Sequence, residues 1–286
     1  MRYERVSYMR GINDRFINDL KNGPLLFFLS QARNNPSICL EVRKDYINLY
    51  YKGGRALKII QNKRSYSFYF DSKYCLNKGN DKNFEYFNSL NHSDCKSFID
   101  SFPLILEEMD SWFKCNPKPE REFQHNLIKK NQKQLIVTDI EYAGKTNDKG
   151  FRLDMIGLNR SEAGYQVIIF ENKFGTGAIS GKAGIGKHYL DIVNILSNPE
   201  VREDLISSVV NIANNKTELG LIELPMKKQE IKDVEILFLI AGFNEKSRSL
   251  ANEVNSIHKS LPARVCIVKP EETALDYSMA KDLFTY

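Results

Sequence analysis

The sequence predicts an α/β protein in two parts: a C-terminal α/β core, with a central mixed sheet flanked by helices, preceded by a smaller α+β domain containing an antiparallel meander. Three observations predict it. Between residues 38 and 70, apolar residues recur with period two in four short runs, the pattern of half-buried strands. Beyond residue 119, strand-like and helix-like runs alternate, the order of a layered α/β fold. Between these regions stands Asn116-Pro-Lys-Pro119, where two prolines stop a helix and favour an extended linker. The expected domains are therefore 1–115, with nucleic-acid or partner binding as its expected role, and 116–286.

The elements follow in chain order. The first thirty residues read as helix: Arg15 to Leu20 is periodic, and Asn22-Gly23-Pro24 breaks it. A second short apolar piece follows from Pro24. Ile38–Arg43, Tyr46–Tyr51, Ala56–Ile60 and Tyr66–Phe70 are rich in aromatic and β-branched residues and read as about four strands, with Lys44-Asp45 and Gly53-Gly54 as turns. Their alternating aromatics are expected on the core face. Cys95 to Trp112 is apolar at helical spacing. After the linker come helix 120–130, strands 135–142, 151–158 and 165–174, helices 187–196 and 201–214, strand 235–241, helix 245–261 and strand 264–268. On the first of these helices Phe123, Leu127 and Ile128 mark the buried face, and His125 is expected to be exposed.

Composition narrows the class. Hydrophobic residues at 42% and charged residues at 27% are ordinary for a globular chain with a sizeable core. No run of about 18 apolar residues occurs, so no membrane span is expected. The N-terminal stretch scatters charges where a secretory signal would be apolar, which points to a cytoplasmic protein. Five cysteines, odd in number and widely spaced, do not read as a disulfide framework, and no C-x-x-C pair suggests structural zinc. Net charge is +5, but residues 1–118 carry +6 and residues 119–286 carry −1. The basic surplus in the N-terminal part fits contact with a polyanion, and a solvated basic surface would look the same.

The chemistry-bearing pattern lies in Tyr165-Gln-Val-Ile-Ile-Phe-Glu-Asn-Lys-Phe174. Alternation puts Val167, Ile169, Glu171 and Lys173 on one face and Ile168, Phe170, Asn172 and Phe174 on the other. Both faces begin apolar, so the strand reads as central and covered on both sides. A carboxylate and an ammonium at its end cost free energy unless paired or metal-bound. They stand roughly 7 Å apart along the strand. Upstream, Asp154 sits inside the apolar strand Phe151–Leu158, and a loop from Asn159 to Gly164 would close an antiparallel hairpin that brings Asp154 to Glu171. Two nearby carboxylates repel. A divalent cation removes that conflict, and oxygen ligands with open water positions suit Mg²⁺ or Mn²⁺.

Asp154, sixteen intervening residues and then Glu171-Asn172-Lys173, set in helix, three strands, helix, strand, resemble the PD-(D/E)XK nuclease superfamily over roughly residues 118–270. The resemblance implies a restriction-endonuclease-like core and metal-dependent hydrolysis of phosphodiester bonds. It implies Asp154 and Glu171 as metal ligands, the backbone carbonyl of Asn172 as a further ligand, and Lys173 as the catalytic lysine. Members often add a glutamate from the first core helix; Glu122 is favoured here, with Glu120 as the alternative. Members also carry a Gln and a Tyr on the helix after the catalytic strand, where this chain has Lys187-His188-Tyr189. Lys182, Lys187 and His188 are the expected nucleic-acid contacts. DNA is expected ahead of RNA, and a homodimer is compatible with the family pattern. Tyr50-Tyr-Lys-Gly-Gly-Arg55 resembles a loop of domains that precede nuclease cores in bacterial defence proteins, which places a role in anti-phage or foreign-DNA defence among the expectations.

Rival motifs are weaker. Gly181-Lys-Ala-Gly-Ile-Gly-Lys187 matches G-x-x-x-x-G-K, but His188 stands where a phosphate loop needs Ser or Thr. The four histidines show no metal-protease spacing, and no G-x-S-x-G elbow exists. A nuclease-fold module that binds nucleic acid without cutting it is the main alternative, and nucleotide hydrolysis is the third.

Overall fold

The computed structural model describes residues 9–63, 65–74, 84–89, 92–131, 135–146, 149–161, 164–224, 227–244 and 247–286. The chain divides into two compact units: residues 10–125 with 211–225, and residues 126–210 with 226–286.

In the first unit, α1 (Asp14–Asn22) and α2 (Leu26–Asn34) lead into a five-stranded antiparallel meander, β1 (Ile38–Val42), β2 (Tyr46–Tyr51), β3 (Gly54–Gln61), β4 (Tyr66–Asp71) and β5 (Phe84–Ser89), followed by α3 (His92–Cys115). The Asn13 side chain accepts the Phe16 N–H and so caps α1. The period-two pattern is realised: Leu40, Val42, Ile47, Leu49, Leu57, Ile59 and Phe68 are buried with Phe16, Phe28 and Phe102 of the helices in one core. Phe68 stacks on Phe98 with ring centroids 4.9 Å apart. The sheet gains a fifth strand beyond the four expected, and the N-terminal helical region is two helices separated at Gly23. Residues 1–8 lie outside the described residues.

The end of a later helix belongs to this unit, which the sequence pattern did not suggest. In α6 (Pro199–Glu218) the residues from 211 onward fall in the first unit. Lys216 donates from Nζ to both carboxylate oxygens of Glu41, each at 2.9 Å. Asn215 accepts the Ile12 N–H at 3.0 Å, and Arg33 donates to the Leu219 carbonyl. Both charged side chains of the Glu41–Lys216 pair are at most 4% exposed. A buried pair gives little net stability, but removing one partner strands a charge in a low-dielectric site.

His125 differs from expectation. It is buried, with Nδ1 3.5 Å from Cys39 Sγ and Nε2 3.1 Å from the Pro36 carbonyl oxygen. It follows Phe123 and precedes Leu127 on α4 (Pro119–Lys130), so the helix buries a wider stripe than the apolar residues alone mark. Among the described residues, Cys39, Cys95, Cys115 and Cys266 form no disulfide. Among the described residues, no helix is long and apolar enough to cross a membrane.

The second unit is built on a six-stranded mixed sheet. β6 (Leu135–Thr146), β7 (Lys149–Ser161) and β8 (Gly164–Phe174) form an antiparallel meander; β9 (Ile231–Ala241) and β10 (Ala263–Val268) add in parallel, and β11 (Lys281–Asp282) closes the far edge. α5 (Ile185–Leu196) follows β8, and α7 (Ser249–Val254) joins β9 to β10. The meander strands run longer than expected, which shortens the hairpin loop. The helix expected over 245–261 is only α7, because Asn255 and the residues after it leave the helical path well before Pro262. β8 is buried from Val167 to Lys173, as a central strand covered on both faces must be. At Gly157 an added Cβ would lie 2.4 Å from the Ile136 carbonyl oxygen and 2.7 Å from the Phe170 ring, so only glycine lets Phe170 pack across the hairpin.

Substituting Lys216 with Met should leave Glu41 buried without its main partner and lower unfolding free energy by about 3–5 kcal/mol. Urea denaturation followed by circular dichroism checks this.

Candidate active site

The site forms where the middle of the sheet stops pairing. The β7–β8 ladder runs from Ser161↔Gly164 to Met155↔Phe170 and ends there. Past that point β7 pairs only with β6, as far as Lys149↔Thr146, and β8 only with β9, as far as Phe174↔Ala241. The two central strands thus part into a fork. Asp154 and Glu171 are the first residues beyond the last β7–β8 pair, one on each prong.

A strand that loses its neighbour leaves backbone N–H groups without acceptors, and side chains must take over. Asp154 Oδ2 accepts the Asn172 backbone N–H at 3.0 Å, so its carboxylate stands in for the ladder at the crotch of the fork. Glu171 and Lys173, two residues apart on one face of β8, form a buried pair with Nζ 3.0 Å from Oε1 and both side chains 5% exposed. His188, in the first turn of α5, places Nδ1 2.5 Å from the same Glu171 oxygen. That contact requires a proton on Nδ1. Asp154 is half-buried and His188 one-third exposed, so the cluster opens to solvent on that side.

The fork therefore gathers two carboxylates, one ammonium and one imidazole, all in one compact unit. Of the three residues expected together, Glu171 and Lys173 pair directly, and Asp154 holds the backbone N–H of Asn172, which lies between them in sequence. His188 reaches Glu171 directly; its place before the apolar face of α5 was the only signal in the sequence. The other two basic residues singled out beside the strand stand apart from this contact. Lys187 is exposed and pairs with Asp191 one turn along its own helix, and Lys182 is exposed in the loop before α5. Glu120 and Glu122 are exposed in the first turn of α4 and belong to the first compact unit. Among the described residues, no three His, Cys, Asp or Glu side chains gather into a group that could hold a metal ion.

Two acidic residues near the fork escaped the sequence reading. Asp139 is completely buried opposite Ile156, on the face that carries Asp154 and Glu171. A charge inside the apolar run Leu135–Ile140 was the available signal. Glu141, between Ile140 and Tyr142 in β6, stands at the position facing Asp154 and has φ of 49°. A left-handed conformation costs a non-glycine residue about 1–2 kcal/mol, and such strain gathers at functional sites.

The glycine-rich loop between β8 and α5 has a different use from the one its motif suggests. The Gly181 N–H points to Glu253 Oε1 at 3.4 Å, and the Lys187 ammonium is turned to Asp191. A phosphate loop would offer both groups to a phosphate.

Set against family models, curated proteins and solved structures, the chain matches none.

Asp154→Ala removes the acceptor of the Asn172 N–H. A hydrogen bond to a charged acceptor contributes about 1.5–3 kcal/mol, so amide exchange at Asn172 should speed up by about tenfold or more, read by hydrogen-exchange NMR.

Proposed function

We propose that the protein is a metal-dependent nuclease of the PD-(D/E)XK type, with a restriction-endonuclease-like core formed by the mixed sheet, and that it hydrolyses phosphodiester bonds of nucleic acid, DNA ahead of RNA. The observation that carries this reading is the fork. Asp154 and Glu171 hold the first unpaired positions of β7 and β8 where the strands part, with Asp154 on the Asn172 N–H and Lys173 on Glu171. Opening a central sheet to seat buried charges costs stability, and a reaction site explains why the cost is kept.

The donor set fits a hard divalent ion. Two carboxylates and the Asn172 backbone carbonyl supply oxygen ligands only, and Mg²⁺ typically takes one or two carboxylates with waters and substrate phosphate oxygens filling the remaining positions. Asp154, Glu171 and the Asn172 carbonyl would hold Mg²⁺ or Mn²⁺. When bound, such an ion activates water and offsets charge building on the phosphoryl group.

The chain's own residues do the rest. Lys173 holds the attacking water by hydrogen bond and presents a positive charge to the non-bridging phosphate oxygens as the five-coordinate transition state forms. The water attacks phosphorus from one side and gives up a proton to solvent, the P–O ester bond on the other side breaks, and the departing alkoxide takes a proton from solvent. His188 fixes the Glu171 carboxylate through Nδ1–H, and in its imidazolium form its Nε2–H donates to a phosphate oxygen. Lys182 and Lys187 lie exposed on the segment that follows β8, where a phosphate backbone would meet them.

A second reading, a module that binds nucleic acid without cutting it, is favoured by one observation. Lys173 and His188 together occupy the same Glu171 oxygen, and no three acidic or histidine ligands are gathered among the described residues. Incubation with plasmid, linear DNA and RNA in Mg²⁺, Mn²⁺ or chelator separates the two. Cleavage that needs the metal, and that falls by about 10²–10³-fold in each of Asp154→Ala, Glu171→Ala and Lys173→Ala, is the expected outcome. Binding with all substrates left whole selects the second reading. Gel filtration with light scattering reads whether the protein is the homodimer that double-strand cleavage would favour.

A further inference from the structure

The first unit's sheet has two unlike faces. One carries the apolar core. The other presents Glu41 and Arg43 from β1, Tyr46, Asn48 and Tyr50 from β2, Arg55 and Lys58 from β3, and Tyr69 from β4, aligned by the registers Glu41↔Asn48, Tyr50↔Arg55, Asn48↔Lys58 and Lys58↔Tyr69. Towards β1 this face is buried, with Tyr50 receiving hydrogen bonds from Arg43 and Asn48. Towards β4 it is half-open: Tyr46, Arg55, Lys58 and Tyr69 are all partly exposed.

Lys58 is the centre of the open part. Its Nζ lies 4.2 Å from the Tyr46 ring centroid and 5.7 Å from that of Tyr69. Among the described residues no carboxylate pairs with it. The two carboxylates on this face are engaged elsewhere, Glu41 by Lys216 and Asp71 by Lys73. Burial and the neighbouring Arg55 charge both push the Lys58 ammonium below its usual range, which an anionic ligand would relieve. Beside it, Asn48 Oδ1 is buried with no hydrogen-bond partner among the described residues, an acceptor that a bridging water could satisfy. Tyr46 and Tyr69 stand two strands apart, about 10 Å.

We infer that this face is a binding surface for single-stranded nucleic acid, with bases stacking on Tyr46 and Tyr69 and the phosphate backbone crossing Lys58 and Arg55. A cation set between ring faces is what a single strand needs, because each base offers a π-face once it is unstacked and each linkage brings one negative charge. A duplex has its bases enclosed and cannot use the tyrosines. On binding, the Lys58 ammonium moves from the Tyr46 ring to a phosphate and frees that ring for a base. The inference does not rest on the nuclease reading: the surface lies within the other compact unit, and it is tested in chelator, where no metal-dependent cutting occurs.

The test is fluorescence anisotropy of the full chain with labelled oligothymidine and oligouridine of about 16 nucleotides and with a duplex of equal length, in chelator, over a range of salt. Wild type should prefer the single strands. Lys58→Ala should weaken them by about tenfold and reduce the salt slope by about 0.7. Tyr46→Ala should weaken them by about tenfold or more, and Tyr46→Phe should restore binding, since stacking needs only the ring. Circular dichroism melts check that each variant is folded. If a variant does not fold, photocrosslinking of 5-iodouracil oligonucleotides to wild type, mapped by mass spectrometry, should mark Tyr46 or Tyr69. Equal or tighter duplex binding, displacement by millimolar inorganic phosphate, unchanged affinity in folded Lys58→Ala and Tyr46→Ala, or crosslinks confined to other residues would each overturn the inference.

Discussion

The end of the β7–β8 ladder at Met155↔Phe170 is the constraint on which the candidate site depends. A fully paired central sheet would satisfy its own backbone and leave no opening for polar side chains. Here pairing stops, and the Asn172 amide needs an acceptor. Asp154 meets that need with a carboxylate oxygen, which also fixes the acid at the crotch of the fork, on the amide one residue along from Glu171 on the facing strand. Backbone satisfaction and placement of a reactive group are therefore one event. Among the described residues, the buried Asn172 side-chain amide finds no partner for Oδ1 or Nδ2, a cost of about 1–3 kcal/mol for an unmet polar group. The fork is thus a strained feature of an otherwise well-packed sheet, and Glu141, with its left-handed backbone opposite Asp154, is a second mark of strain in the same place.

Charge is handled in two ways in the two compact units. In the first, Glu41 is enclosed and almost fully answered: Lys216 binds both oxygens, and Arg43 stands 3.8 Å away. Such a pair fixes geometry; it ties the end of α6 to β1 through a contact that would be costly to half-break. In the second, Glu171 has both its partners crowded on one oxygen, beside a second carboxylate and with a partly exposed histidine. A group satisfied on every side has no capacity left for a ligand, whereas both partners of Glu171 among the described residues sit on Oε1 and leave its other oxygen as an acceptor. Burial alone does not separate these cases. The number of carboxylate oxygens left without a partner does.

How much of this was legible follows from how local each feature is. Asp154, Glu171 and Lys173 could be brought together from alternation within two adjacent strands, because a hairpin translates sequence spacing directly into position. The order of the strands from β6 to β10 followed from the helix–strand alternation for the same reason. What stayed hidden depends on long-range contacts. Lys216 reads as an ordinary polar residue near a helix end until Glu41, 175 positions away, is placed beside it. His125 reads as exposed because its neighbours Gln124 and Asn126 are polar, and only Cys39 and Pro36 explain its burial. The short α7 and the extra β5 were missed because local apolar spacing does not say where pairing or packing ends.

The meander in the first unit shows why residue type misleads when face is unknown. Tyr51, Tyr66, Phe68 and Phe70 are in the core, as alternation of aromatics suggests, yet Tyr46 and Tyr69 belong to the same strands and point the other way. A strand with aromatics on both faces cannot bury them all against one helix layer. Lys58, set between those two rings with no carboxylate among the described residues, keeps that second face from being merely apolar. An aromatic pair alone would favour collapse onto a neighbour or self-association; an unpaired cation between the rings makes the surface costly to cover with anything that brings no negative charge. The physical preference of the face is therefore for a ligand that is both flat and anionic.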